Sequence, residues 1–282
     1  MPGELCRPDA IRRTLAERGF RFDKRKGQNF LTAPWVPERM AALFDKGQAV
    51  LEIGPGFGAL TAALAETCGQ VIALEKDRRL IPILRQNLSA YGNVTLIEGD
   101  ALRLDLPSLM PEGFSGAVCA NLPYAITTPL LARLLEDGTD GRAGASPLVV
   151  MVQREVARRL AAKPATPEYG AVTVFTALHA RCAVLFDVGP ECFLPRPAVT
   201  SSVIRLDRIA PGPFVPGALR LVKAAFAQRR KTLANALSAG LAVSREAAAA
   251  CLAKAGIDPA ARGETLSSED FLALARAFTE SI

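Results

Sequence analysis

Val50-Leu51-Glu52-Ile53-Gly54-Pro55-Gly56-Phe57-Gly58 decides the fold of this 282-residue chain. A short, mostly apolar strand ends in a glycine-rich turn that leads directly into a helical pattern over residues 59–67. The same unit then repeats. A strand over 71–74 ends in Glu75, and Asp77 is placed to cap a helix reaching about Leu88. A third strand over 94–97 ends at Gly99-Asp100, and a fourth over 117–120 ends at Asn121, ahead of a helix over 128–135 and a strand over 148–152. Strands and helices alternating at this length imply a parallel sheet with helices on both faces.

On the amino-terminal side, a weakly amphipathic helix over 8–19 stops at Gly19, and a basic loop leads to Gly27-Gln28-Asn29-Phe30-Leu31 and a helix over 37–44. On the other side, residues 138–146 read as a surface loop, followed by helices over 155–162 and 169–180 and strands over 183–188 and 202–206. Between the last two strands lies the proline-stiffened loop Phe193-Leu194-Pro195-Arg196-Pro197. The stretch Ala210-Pro211-Gly212-Pro213-Phe214-Val215-Pro216-Gly217 reads as a linker marking a domain boundary. Beyond it everything is helical: one helix over 218–237, another over 244–255, and a last one opened by a capping box of Ser267 and Asp270. The expected domains are a basic helix and loop extension (1–48), a Rossmann-like sheet domain (49–209) and a smaller all-helical carboxy-terminal domain (210–282).

Composition narrows the function classes. Half the residues are hydrophobic, yet no apolar run reaches the roughly 18 to 20 residues of a membrane span, and the amino terminus has no signal-peptide pattern, so a cytoplasmic location is expected. The six cysteines form no C-x-x-C pair, and the one histidine, His179, lies in an apolar stretch. Neither a metal site nor a catalytic histidine is indicated. The net charge of +6, carried mainly by arginine, suits an anionic partner. It gathers in clusters from which Arg25, Lys26, Arg154, Arg158, Arg159, Arg229, Arg230 and Lys231 are the candidate RNA-binding residues. A solvated charged face is the simpler reading of any one cluster alone.

Gly54, Glu75, Asp100 and Asn121 stand at the carboxyl edge of one sheet, where open α/β sheets bind ligands. Glycine allows close backbone approach, Glu75 can accept the two hydroxyls of a ribose, and Asp100 can accept an adenine amino group. Because Gly54-x-Gly56-x-x-Ala59 also satisfies the dinucleotide fingerprint, a nicotinamide-dependent dehydrogenase is a rival. It leaves Asp100 and the stretch Asn121-Leu122-Pro123-Tyr124 unexplained. Proline there holds Leu122 extended, so that the Asn121 amide and the Leu122 carbonyl can accept hydrogens from an amino group while Tyr124 stacks on its ring. A plain helix-entry turn is the alternative for the tetrapeptide alone. Taken together, the features fit S-adenosylmethionine and a planar acceptor bearing an amino group.

The motifs Gly27 to Leu31, Leu51-Glu52-Ile53-Gly54-Pro55-Gly56, Leu74-Glu75-Lys76-Asp77, Gly99-Asp100-Ala101, Asn121 to Tyr124, Phe193 to Pro197 and Phe226-Ala227-Gln228-Arg229-Arg230-Lys231 run in one order along nearly the whole chain. In this the chain resembles the rRNA adenine dimethyltransferases associated with kasugamycin sensitivity. The resemblance implies dimethylation, from S-adenosylmethionine, of two adjacent adenosines near the 3′ end of small-subunit rRNA, by a metal-free monomer acting on the immature 30S subunit. It implies cofactor contacts from Asn29, Leu31, Gly54, Glu75, Asp100 and Asn121, a set that the matching stretches extend to Gln28, Gly56, Lys76 and Ala101. It also implies that Asn121, Leu122, Pro123, Tyr124 and Phe193 hold the adenine. Two rivals remain: the related antibiotic-resistance methyltransferases of large-subunit rRNA, and a non-catalytic RNA-binding assembly factor.

Overall fold

The computed structural model of the chain describes residues 2–20, 22, 27–111, 117–136 and 147–281. The loop expected over 138–146 and the candidates Arg25 and Lys26 lie outside them. Nine strands follow in order: β1 (Phe30–Leu31), β2 (Ala49–Ile53), β3 (Gln70–Glu75), β4 (Val94–Glu98), β5 (Val118–Asn121), β6 (Pro147–Gln153), β7 (Ala180–Val188), β8 (Phe193–Leu194) and β9 (Ser201–Arg208). Seven of them form one sheet in the order β4-β3-β2-β5-β6-β9-β7, and β1 pairs with β8 in a separate ribbon.

From β4 to β6 every neighbouring pair is parallel, as the alternating pattern implies. The all-parallel expectation fails at β9, which runs antiparallel to β6 from Pro147↔Asp207 to Gln153↔Ser201. β9 follows β7 through residues 189–200 with no α-helix between them and lies between β6 and β7 in the sheet, so it enters as a returning strand rather than at the end of a helical crossover. Val50, Val71, Cys119, Val149 and Met151, on neighbouring strands, share a buried cluster with Leu60 and Leu64 of the helix Ala59–Thr67. A one-residue slip of any of these strands would turn its apolar set away from that cluster, so the register is firmly held. That register brings the carboxyl ends of β2 to β5 to one edge.

Two helices depart from the sequence reading. Asp77 does not cap the next helix, which is Ile81–Asn87 with Leu80 at its N-cap. Its carboxylate instead receives the Arg79 guanidinium at 2.6 Å. The helix expected over 218–237 is two helices, Val215–Ala227 and Leu233–Leu241, because Gln228 leaves helical geometry at φ −131°, ψ 63°. Helical periodicity alone does not register such a break, since the apolar positions resume in phase after it. The capping box of Ser267 and Asp270 is present as expected.

The chain divides into two compact units, residues 1–157 with 183–208, and residues 158–182 with 209–282. The last crossing falls one residue from the expected boundary. Residues 158–182, which the sequence reading kept with the sheet, go with the helical unit because Tyr169, Val174 and Leu178 pack in one cluster with Leu221, Leu237, Leu252 and Phe271. The Tyr169 hydroxyl also donates to the Leu266 carbonyl at 2.6 Å. His179 is a packed core residue of this unit, its ring 4.4 Å from that of Phe175. The smaller unit holds 13 Lys and Arg against seven Asp and Glu, whereas the larger holds 21 of each, so the whole +6 resides in the smaller one.

Candidate active site

At the shared strand edge lies a cavity of about 300 Å³, walled by the glycine turn after β2, the acidic ends of β3 and β4, and Asn121 at the end of β5. Gly54 and Gly56 both have positive φ, 74° and 60°. A Cβ on Gly56 would stand 3.0 Å from the Phe30 ring, whereas the equivalent side of Gly54 is open. The turn is thus closed against the protein at one glycine and bare toward the cavity at the other. Glu75 is tied to it: one carboxylate oxygen accepts the Gly56 N–H at 3.3 Å and the other the Asp77 N–H at 2.7 Å. Burial pushes the Glu75 carboxyl up, and these two N–H groups oppose that shift by favouring the ionised form.

Asp100 accepts the Leu102 N–H at 3.0 Å and the Lys76 ammonium at 2.8 Å. Burial acts to raise its pKa, but Lys76, Leu102 and Arg103 outweigh it and hold the carboxyl below its ordinary value. Lys76 therefore reaches the cavity as the partner of Asp100. From the opposite side, Gln28 donates to Asp77 at 2.9 Å, and its own Oε1 is buried without a partner among the described residues. Asn29 fixes its side chain on the Gly27 carbonyl at 3.1 Å and offers its own carbonyl to the Asn121 amide Nδ2 at 3.0 Å. A carbonyl only accepts, so this bond occupies the Asn121 nitrogen and leaves Oδ1 as the amide's acceptor on a residue of the cavity wall.

The turn after Asn121 is held at several points. Leu122 donates its N–H to Met151 at 3.2 Å, prolonging the β5–β6 pairing, and no donor among the described residues occupies its carbonyl. Pro123 sits at φ −58°, ψ 125°, and its carbonyl accepts from Ile126 and from the Thr127 hydroxyl. Gly27 packs over the turn so closely that a Cβ there would lie 3.5 Å from the Tyr124 nitrogen. Tyr124 itself is half-buried, with its hydroxyl 2.7 Å from Ser201 Oγ on β9.

A family model described as ribosomal RNA adenine dimethylase matches residues 19–280. The chain belongs to the ribosomal RNA adenine dimethylase family. It is 43% identical over 258 residues to the ribosomal RNA small subunit methyltransferase A of Clostridium botulinum strain Loch Maree, covering 89% of this chain and 92% of that one. With the protein of the same name from Shouchella clausii it shares 41% identity, over 99% of this chain and 97% of the relative. Among solved structures, the 23S rRNA methyltransferase ErmE is 27% identical with a TM-score of 0.67, over 89% of this chain and 100% of ErmE. A dimethyladenosine transferase from Plasmodium falciparum, at 24% identity and a TM-score of 0.76 over 89% of this chain and 98% of that one, shares the fold.

As a ribosomal RNA adenine dimethylase the protein is a methyltransferase that uses S-adenosylmethionine, and the cavity fits that cofactor. The open flank of Gly54, the carboxyl groups of Glu75 and Asp100 and the Gln28 Oε1 without a partner among the described residues supply backbone clearance, two acceptor groups and a further buried acceptor. Leu31 and Ala101, buried and on the cavity wall, supply apolar surface.

The dimethylase differs from the sequence reading at Phe193, expected on the far side of the base from Tyr124. It is 2% exposed and off the cavity wall, because pairing of β8 with β1 sets Phe193 opposite Leu31 and turns its ring into the core with Val36 and Met40. Of the candidate RNA-binding residues described, Arg154, Arg158 and Arg159 are exposed on the helix Arg154–Leu160, Arg154 lying 3.8 Å from Asp187. Arg229, Arg230 and Lys231 occupy the exposed turn that breaks the expected long helix, and Arg229 lies 3.6 Å from Glu264.

Two residues that the sequence reading did not single out touch this region, one on the cavity wall and one bonded to Tyr124. Glu52, on the cavity wall, is 1% exposed, with Oε2 lacking a partner among the described residues. Burial, reinforced by the nearby Glu75 charge, pushes its carboxyl up to about 8. A carboxylate set between Leu51 and Ile53 in an apolar strand was the available signal. Ser201 gave none, because its bond to Tyr124 joins residues 77 apart.

Proposed function

We propose that this dimethylase transfers methyl groups to the 6-amino nitrogens of two adjacent adenosines near the 3′ end of small-subunit rRNA. It acts in the cytoplasm as a monomer on the immature 30S subunit and so contributes to ribosome biogenesis. The observation that carries the reading is the Asn29–Asn121 hydrogen bond, which occupies Asn121 Nδ2 and leaves its Oδ1 as an acceptor on the cavity wall, next in sequence to the open Leu122 carbonyl. Two acceptors at the end of one strand suit one amino group with two hydrogens.

An adenine amine is a weak nucleophile because its lone pair is delocalised into the ring. When its two hydrogens are held by Asn121 Oδ1 and the Leu122 carbonyl, the nitrogen becomes more tetrahedral and the lone pair turns toward the cavity. S-adenosylmethionine, when bound, supplies a methyl group already activated by its sulfonium charge. The protein's contribution is then alignment, an effect that reaches about 7 to 11 kcal/mol in favourable systems. Glu75 and Asp100 fix one reactant, Asn121 and Leu122 the other. The methylated nitrogen is acidic and loses its proton to water, so the site needs no histidine. Tyr124, steadied by Ser201, stacks on the extruded base for about 1 to 3 kcal/mol, set against an unstacking cost of a few kcal/mol. The exposed Arg158, Arg159, Arg230 and Lys231 belong to the unit that carries the whole net charge, and they contact rRNA phosphates.

The small-subunit substrate is favoured over the large-subunit one because the relatives named for the small subunit are 41–43% identical, against 27% for ErmE. Mapping dimethyladenosine in rRNA from cells lacking the protein tests the choice. Loss of two adjacent modifications from small-subunit rRNA, restored by the gene, is the expected result; loss from large-subunit rRNA would overturn it.

A further inference from the structure

Outside the cavity, the larger unit exposes an aromatic surface with an arginine on it. Trp35 opens the helix Trp35–Ala41 and is 43% exposed. Its ring lies 5.9 Å from that of Phe186 on β7, the edge strand of the sheet. The Arg39 guanidinium, one helical turn beyond Trp35, stands 4.0 Å above the Phe186 ring. Val184, two residues before Phe186 and on the same face of the strand, is 45% exposed. Among the described residues no carboxylate forms an ion pair with Arg39. A guanidinium lying over a ring uses its π face and leaves its N–H fork free in the plane.

We propose that this surface is a second nucleotide platform, on which an unpaired base of the rRNA strand flanking the target adenosine stacks against Trp35 while Arg39 meets its phosphate. The proposal rests on the rRNA dimethylase reading and adds a contact to it. Two observations argue for RNA as the occupant. An exposed indole beside an arginine that no carboxylate among the described residues pairs offers the two groups with which single strands are held, an aromatic face for a base and a cation for its phosphate. The surface is also wired to the catalytic turn. Asn29, which holds Asn121, is six residues before Trp35, so the two lie no more than about 22 Å apart. The segment between them is fixed by the β1–β8 pairing and by the bond from the Thr32 N–H to the Cys192 carbonyl at 2.8 Å. The platform is therefore within a few nucleotides' reach of a strand whose target base enters the cavity.

Trp35 is the only tryptophan of the chain, so its fluorescence reports on the platform alone. The probes are a transcript of the 3′-terminal segment of small-subunit rRNA with its unpaired flanks, a fully paired duplex of equal length, and intact 30S subunits. The expected result is quenching by the unpaired transcript and not by the duplex. Trp35→Ala and Arg39→Gln should each weaken transcript binding about five- to tenfold, the lower end of the range for aromatic stacking. Trp35→Phe should restore most of the affinity, and calorimetric binding of S-adenosylmethionine should stay at the wild-type value in all three. If the transcript binds tightly without quenching, or binds Trp35→Ala as well as wild type, the platform is refuted and the dimethylase reading stands. Quenching by 30S subunits alone would assign the surface to a ribosomal protein. A wild-type protein with no affinity for any of the three probes would overturn both readings.

Discussion

Replacing Glu52 with glutamine tests whether a neutral carboxylic acid lies beneath the cofactor cavity. The side chain is fully buried and titrates at about 8, against 4.5 for an ordinary glutamate. Between those values the folded protein keeps a proton that the unfolded chain has lost, so the native state binds more protons and stability must fall as pH rises. Each pH unit through the window removes about 1.4 kcal/mol, and the full difference amounts to about 5 kcal/mol by pH 9. Below pH 4.5 both states are protonated and this contribution vanishes. Glutamine has nearly the same shape and no charge to acquire. Glu52→Gln should therefore match the wild type near pH 4.5 and become progressively more stable relative to it up to about pH 8. The assay is urea unfolding without cofactor at half-unit intervals from pH 5 to 9. Trp35 fluorescence is the signal, because Trp35 lies in the same unit as Glu52. Two stability curves running parallel across the window would refute the assignment.

Glu75→Ala should weaken S-adenosylmethionine binding at least tenfold by calorimetry, since it removes a buried acceptor and frees the Gly56 N–H that it holds; unchanged affinity would exclude Glu75 from the cofactor site. Ser201→Ala and Tyr124→Phe should each lower kcat about five- to tenfold, the effect of losing one hydrogen bond. The double variant should be no worse than either single, and additive losses would mean that the two hydroxyls act separately. For Arg230→Ala with Lys231→Ala, the slope of log affinity for rRNA against log salt should become shallower by about 1.4 to 1.8, the effect of two lost phosphate contacts. An unchanged slope would place these residues off the RNA.

Much of the fold was legible because its signal is local. The period of Val50 to Ile53, the turn at Gly54 and the helix at Ala59 are read from adjacent residues, and Glu75, Asp100 and Asn121 fall at strand ends for the same reason. What stayed hidden depends on contacts distant in sequence. The antiparallel β9 depends on its insertion between β6 and β7, strands that are not adjacent to one another in the sheet, which no local pattern records. Phe193 was expected to hold the adenine from the resemblance, whereas its pairing with Leu31 buries it. Asn29 was legible as a site residue through its motif. Its actual service, a backbone carbonyl offered to Asn121, leaves no trace in side-chain identity.

The central claim is that Asn121 Oδ1, on an amide held by Asn29, accepts the hydrogen of the reacting adenine. Its direct test is methyl transfer from labelled S-adenosylmethionine to unmethylated 30S subunits by wild type and Asn121→Ala, with the product nucleosides resolved by mass spectrometry and subunit binding measured in parallel. The account predicts that Asn121→Ala binds the subunit as wild type does and forms neither mono- nor dimethyladenosine at a detectable rate. Dimethyladenosine formed by that variant at a rate near the wild type's would contradict it.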